Sequence, residues 1–353
     1  MNSMIVRLMS VVGLPWLLLL GCAPESFDAS PQGIVAFADG NRLCTVRSDG
    51  TGRKEILRLD AGTKSINWLR WSPDGKRLAY VASSDDKGML YAVDADGRNN
   101  QLVEGGNKAD DVTVPFWSPD GSRLGIPMLP GDPAKEPTGL CIIDLKTGDR
   151  TVLKGFVGPS VQFSPDGRKL LFCKAPAPCD GGVVLGEVVI YDFDRKEETT
   201  LAATIMGINV VGWLDPETVI FSCPHVELPS TPLGGDVFGN LVEKRSRVYR
   251  MNVAKREFVP VTERDGAYFF AISPDRKRIL YVERAPEGDH KEKVMVADVD
   301  GGRPRKALDR FEGLPFWVGN GAVAALDEKK QSIVVVDLAA DKKTAIPLSL
   351  EAN

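Results

Sequence analysis

Short apolar runs, each closed by a tight polar turn, follow one another along the chain from Gly33 onward. One set comprises Leu78-Ala-Tyr-Val81, Leu124-Gly-Ile126, Leu170-Leu-Phe-Cys173, Val219-Ile-Phe221, Ile279-Leu-Tyr-Val282 and Ala322-Val-Ala324. A second set ends on an acid: Leu90 to Asp94, Leu140 to Asp144, Val188 to Asp192, Val294 to Asp298 and Ile333 to Asp337. A third, shorter set includes Thr151-Val-Leu153 and Lys343 to Ile346. Runs of this length, rich in β-branched and aromatic residues and bounded by Gly, Pro and Asp, predict strands joined as antiparallel hairpins.

The punctuation repeats. Trp71-Ser-Pro-Asp-Gly75, Trp117-Ser-Pro-Asp-Gly121 and Phe163-Ser-Pro-Asp-Gly167 recur at a spacing of 46 residues. Trp213-Leu-Asp-Pro-Glu217, Ile272-Ser-Pro-Asp-Arg276 and Trp317-Val-Gly-Asn-Gly321 continue the series in degenerate form. Ser can bond the backbone two residues on, Pro presets φ, and Gly supplies the positive φ at the exit. The aromatic ahead of each turn is an anchor for packing one sheet on the next. Gly33 to Phe37 and Leu43 to Gly50 add one earlier unit, which makes seven. Each sheet has two apolar faces, so the units must stack on both sides and close a ring. The fold expected is an all-β propeller of four-stranded antiparallel blades, seven in number, with six as the alternative if the first unit lacks its innermost strand. Residues 26–32 could supply that strand, or the C-terminal tail could close the ring.

This series of Trp-Ser-Pro-Asp-Gly turns, Leu-Ala-Tyr-Val strands and Tyr-Ala-Val-Asp-Ala-Asp-Gly turns resembles the WD40-like repeat of the TolB propeller family, over residues 33–350. The resemblance implies a propeller architecture and a place in the bacterial envelope. The chain departs from that family in lacking a recognisable separate N-terminal domain, so the family's partners do not carry over residue by residue.

The N-terminus changes the picture of where the ring sits. One positive charge, Arg7, precedes an apolar run from Val11 to Leu20 that ends at Gly21-Cys22. The run is shorter than the roughly 20 residues a spanning helix needs, and its layout is that of a signal peptide. Leu19-Leu20-Gly21-Cys22 resembles a lipobox, with Cys22 as the lipidated residue. The expected organisation is a lipoprotein signal peptide over 1–21, a lipidated tether over 22–32 and the propeller over 33–350. Ala23 in place of Asp after the cysteine favours the outer membrane, by resemblance to Gram-negative sorting. A plain signal peptide with a chance cysteine is the other reading. A net charge of -4 argues against nucleic-acid binding, which needs a basic face. Five further cysteines, Cys44, Cys141, Cys173, Cys179 and Cys223, are too odd a number to pair completely. Cys173 and Cys179 bracket a Pro-containing turn that a disulfide would close, with Cys179 to Cys223 as the competing pair.

Candidate chemistry is sparse, and the insertions carry most of it. The hairpin between the first and second strand sets lengthens to Met128–Gly139, Lys174–Gly186, Cys223–Ser246 and Arg284–Lys293 in four consecutive units. Long loops in compact domains tend to be functional. These four would form a crescent on one face, with Asp132, Lys135, Asp180, His225, Glu227, Asp236, Arg245, Arg247, Asp289 and His290 as candidate binding residues. Cys223, His225 and Glu227 alternate as part of a zinc site would, but no fourth ligand is evident and no metal is expected. Ser230, His225 and Asp236 could be written as a triad, yet no Gly-x-Ser-x-Gly elbow supports it. Asp94-Ala-Asp-Gly97 and Asp298-Val-Asp-Gly301 resemble calcium loops faintly and lack the distal Glu. No cofactor is expected. The reading is a non-catalytic, lipid-anchored scaffold binding another envelope protein or cell-wall glycan; the alternative is a propeller enzyme acting on polysaccharide or peptide at the axial channel.

Overall fold

The computed structural model describes residues 27–60, 62–63, 65–84, 87–108, 114–128, 139–174, 186–204, 211–224, 246–263, 266–284, 292–309, 311–327, 329 and 331–348. They form seven four-stranded sheets, and in each the strands lie in chain order with antiparallel pairing. Blade I holds β1 (Phe27–Ala29), β2 (Ile34–Asp39), β3 (Arg42–Arg47) and β4 (Lys54–Arg58). Blade II holds β5 (Ser65–Trp71), β6 (Arg77–Ser84), β7 (Lys87–Asp94) and β8 (Gln101–Lys108). Blade III holds β9 (Phe116–Trp117), β10 (Arg123–Met128), β11 (Gly139–Asp144) and β12 (Arg150–Lys154). Blade IV holds β13 (Phe156–Phe163), β14 (Lys169–Lys174), β15 (Gly186–Asp192) and β16 (Glu197–Thr204). Blade V holds β17 (Val211–Asp215), β18 (Thr218–Pro224), β19 (Ser246–Asn252) and β20 (Glu257–Pro260). Blade VI holds β21 (Ala267–Ile272), β22 (Arg278–Arg284), β23 (Glu292–Asp298) and β24 (Arg305–Asp309). Blade VII holds β25 (Phe311–Val318), β26 (Ala322–Asp327), β27 (Ser332–Asp337) and β28 (Lys342–Pro347). The protein is a seven-bladed β-propeller.

Residues 27–29 supply the innermost strand of blade I, pairing Phe27 with Phe37 and Ala29 with Val35. Every blade is therefore one contiguous stretch of chain, and no sheet joins the two ends of the ring. The last junction closes by packing: Phe27, Val35, Phe37 and Val46 of blade I meet Val318, Ala324, Ile333, Val335 and Ile346 of blade VII. Each such side chain contributes roughly 1.5–3 kcal/mol on full burial, so the seam is of the same kind as the others. Arg53 adds hydrogen bonds to Pro347 O (3.0 Å) and Leu348 O (3.2 Å) across it.

The turn works differently from the local Ser-to-backbone bond that the motif suggests. Ser72 is fully buried, and its hydroxyl accepts the Arg77 N–H five residues on (2.9 Å) while donating to Asp74 Oδ1 (2.7 Å). The same carboxylate accepts the Lys76 N–H (3.0 Å). Ser118 with Asp120 and Arg123, Ser164 with Asp166 and Lys169, and Ser273 with Asp275 and Arg278 repeat the pattern. Distance decides this: in a two-residue-longer turn the buried hydroxyl lies opposite the incoming strand, whose first N–H would otherwise be unpaired. Glycine is required at Gly97, where φ is +90° and a Cβ would stand 1.8 Å from the Ile56 carbonyl of blade I.

Packing between blades uses the aromatic anchors as anticipated. Trp71, Trp117, Trp213 and Trp317 are each 8% exposed or less and pack against the preceding blade. The Trp117 indole N–H donates to Arg70 O (3.1 Å) and that of Trp317 to Ala271 O (3.5 Å). A second device was not anticipated. The arginine five residues after the turn serine reaches the next blade, donates to a turn carbonyl and stacks on an aromatic ring. Arg77 bonds Gly121 O and lies 5.0 Å over Trp117. Arg123 bonds Gly167 O and lies 4.9 Å over Phe163 and 4.5 Å over Phe193. Arg278 bonds Asn320 O and lies 5.2 Å over Trp317. Planar guanidinium does both jobs at once, which a lysine cannot.

Candidate functional site

In a four-stranded blade with this topology, the first-to-second and third-to-fourth connections share one face. The second-to-third hairpins and the links between blades share the other. The long insertions are all second-to-third hairpins. The ladder pairs that end them are Met128 with Gly139, Lys174 with Glu187, Pro224 with Ser246 and Arg284 with Glu292, in blades III to VI. Strand ends on four consecutive blades thus carry the insertions on one face, as the sequence implies. Asp132, Lys135, Asp180, His225, Glu227, Asp236, Arg245, Asp289 and His290 lie outside the described residues. Arg247 is described: it sits on β19 opposite Cys223, one rung inside the base of the longest hairpin, and is half-buried.

The innermost strands line the axis, and their polar groups are engaged in joining blades. Asp28 of β1 accepts the Trp71 N–H of blade II (2.7 Å) and lies 3.6 Å from Arg70 Nη1. Gln162 occupies the equivalent place in blade IV and accepts the Trp213 N–H of blade V (2.6 Å). At the same level the other blades present Phe116, Gly212, Ala271 and Phe316. At this one level the side chains are therefore polar on blades I, II and IV and apolar or absent on the rest. Asn67, buried on β5, donates to Ser65 Oγ (2.9 Å) and adds a short polar patch towards the insertion face.

Cys173 is buried in the core between blades IV and V, where burial pushes its thiol up to about 12. Cys22 and Cys179 lie outside the described residues. Cys44 and Cys141 are buried as small hydrophobes in two other junctions. Among the described residues no group of three His, Cys, Asp or Glu could hold a metal ion. Oxygens of the two Asp-x-Asp-Gly turns are occupied: Asp94 Oδ2 accepts from Asn99 (2.7 Å), Asp96 Oδ1 from the Arg98 N–H (3.0 Å), and Asp298 Oδ2 from Arg303 (2.7 Å). Among the described residues no helix is long and apolar enough to cross a membrane.

No family model matches the chain. The chain is 35% identical over 82 residues to the Tol-Pal system protein TolB of Methylobacillus flagellatus, a match covering 23% of this chain and 18% of that protein. It thus spans less than a fifth of the length of that relative. Among solved structures, the tricorn protease superposes with a TM-score of 0.70 at 12% identity, over 93% of this chain and 34% of that one. TolB from Acinetobacter baumannii gives 0.52 at 17% identity, over 91% and 78%. An oligogalacturonate lyase in complex with manganese gives 0.57 at 16% identity, over 91% and 84%. The structural likenesses concern the fold, and the local sequence match concerns the repeat. Together they describe a seven-bladed propeller built of TolB-like, WD40-type units.

Proposed function

We propose that this protein is a lipid-anchored scaffold of the bacterial envelope that binds a protein partner through the insertion face of blades III to VI. The observation that supports it most is the placement of four hairpin insertions on consecutive blades, on one face. The likeness to a Tol-Pal system protein favours an envelope partner. A second geometric point bears on the anchor. β1 begins at Phe27 and runs from the insertion-face side towards the turn at Ser30, so a lipid on Cys22 would leave five residues of tether before the strand. Five residues reach at most about 18 Å, which would hold that face against the membrane and favour a partner at its surface. Cell-wall glycan is the other ligand class consistent with this placement.

Two experiments separate the parts of this proposal. Metabolic labelling with a fatty-acid analogue should mark the wild type and leave Cys22→Ala unlabelled and released from membranes. In-membrane cross-linking should capture a partner that is lost when residues 225–244 are deleted; retention of every specific cross-link in the deletion removes the insertion face from the proposal. The alternative, a propeller enzyme, draws on the fold likeness to a protease and a lyase. Its axial acid would be Asp28, and Asp28→Asn should then abolish turnover of envelope glycans or peptides. The bonds Asp28 makes to Trp71 and Arg70 speak for a structural task instead.

A further inference from the structure

On the opposite face, the outer corner between neighbouring blades is filled at five junctions. Gly97 rests on Ile56 O between blades I and II, and Gly301 on Val261 O between V and VI. Arg150 pairs with Glu104 (3.1 Å) between II and III. Arg305 bonds Leu338 O and Asp341 (2.6 Å) between VI and VII, and Arg53 bonds Pro347 O (3.0 Å) between VII and I. Between IV and V the corner is open. It forms a cleft of about 140 Å³ whose floor is Ile190, Leu201 and Val253.

The position five residues after the turn serine is Arg in blades II, III and VI but Lys169 in blade IV. Lys169 lines the cleft instead of clamping the next blade, and Arg195 and Arg256 stand at its rim. No ion pair engages any of these three cations among the described residues. Of the two acids present, Asp192 spends Oδ1 on the N–H groups of Asp194 and Arg195 (both 3.0 Å). Glu197 makes no side-chain hydrogen bond among the described residues, although it lines the same space.

We infer that this cleft is a binding site for an acylamino carboxylate, the chemistry of a peptide C-terminus or of an N-acylated amino acid. A guanidinium fork suits the two oxygens of a carboxylate. The cations outnumber the acids by one, which fits a singly charged head better than phosphate. Glu197 supplies an acceptor for the amide N–H, and the aliphatic floor takes a small side chain. At roughly 30 Å³ per water, the volume suits a few such groups and excludes a folded element. The site is independent of the insertion face and of any lipid on Cys22.

The test follows the methyl resonances of Ile190, Leu201 and Val253 in the full propeller during titration. N-acetylalanine and acetyl-trialanine with a free C-terminus should shift them at millimolar concentration, while N-acetylalanine amide and inorganic phosphate should not. Tighter binding of the tripeptide identifies a chain terminus as the natural ligand; preference for N-acetylalanine identifies a free metabolite. Arg256→Ala, at an exposed position, should weaken binding at least tenfold with an unchanged melting temperature. Glu197→Gln should weaken it less, because a glutamine oxygen still accepts. Equal binding of the amide, phosphate competing as well as the carboxylate, no shift at all, or an Arg256→Ala affinity within twofold of wild type overturns the assignment.

Discussion

Arg123 offers the sharpest test of how the blades hold together. Its guanidinium donates to Gly167 O and stacks on two rings of blade IV, Phe163 and Phe193. A hydrogen bond from a charged donor contributes about 1.5–3 kcal/mol. Each stacked ring adds about 0.5–1 kcal/mol at a partly exposed site. Truncation in Arg123→Ala should therefore cost about 3 kcal/mol, with both contributions lost together. Arg123→Lys keeps the charge but gives up the planar fork, so it should lose about 1–2 kcal/mol. Urea unfolding followed by tryptophan fluorescence measures both, with the slope m compared first to establish that the unfolded surface is unchanged. A double-mutant cycle with Phe193→Leu isolates the stacking share. The clamp is wrong as an account of stability if Arg123→Lys matches wild type within about 0.5 kcal/mol, because charge alone would then suffice.

Other consequences can be read in the same assay. Gly97→Ala forces a Cβ onto the Ile56 carbonyl at φ +90°, whereas Gly148→Ala has a similar φ of +76° and open space around it. The first should cost well over the roughly 1–2 kcal/mol that left-handed strain alone imposes on the second, and equal costs would dismiss the inter-blade contact. Burial alone would raise the Asp120 carboxyl, but hydrogen bonds from Ser118 and Ser122 overcome it and hold the group at about 2. Because the folded value lies below the unfolded one, the stabilisation is complete above about pH 4 and is lost as pH falls towards 2. Asp120→Asn should remove that part of the acid sensitivity; an unchanged profile between pH 4 and 2 would assign it elsewhere. Removing residues 27–29 should open the seam between blades VII and I, read as a loss of cooperativity in unfolding, whereas a retained single transition would make β1 dispensable.

Much of this molecule is legible in its sequence because the repeat makes each local rule visible several times. A lone Ser-Pro-Asp-Gly is a common turn; three copies at one spacing, each followed by an apolar run, define a blade. The aromatic anchors follow from the same register. What was missed concerns contacts between repeats. Arg77, Arg123 and Arg278 stand at a constant distance from the turn serine, so the signal was present, but its meaning depends on how far the next blade lies. Asp28 and Gln162 share a register position two residues before the serine position, yet their partners are backbone N–H groups on neighbouring blades. Backbone donors carry no mark in the sequence. β1 was foreseeable only as a stretch, because three residues ending at Ser30 are too few to show a period.

The same reasoning bears on the proposed sites, since a repeat gains specificity where a blade departs from the rule. On the insertion face the departures are added residues, and they fall on blades III to VI. On the turn face blade IV carries Lys169 where blades II, III and VI carry arginine, and Lys169 lines the cleft. The junction of blades IV and V bears the cleft, the buried Cys173 and the fully buried Trp213. That junction keeps its apolar core without the arginine that reaches the next turn from blades II, III and VI. Stability there rests on packing, and the corner is left clear for a ligand. The regular turns set the frame, and the cleft between blades IV and V opens on the turn face.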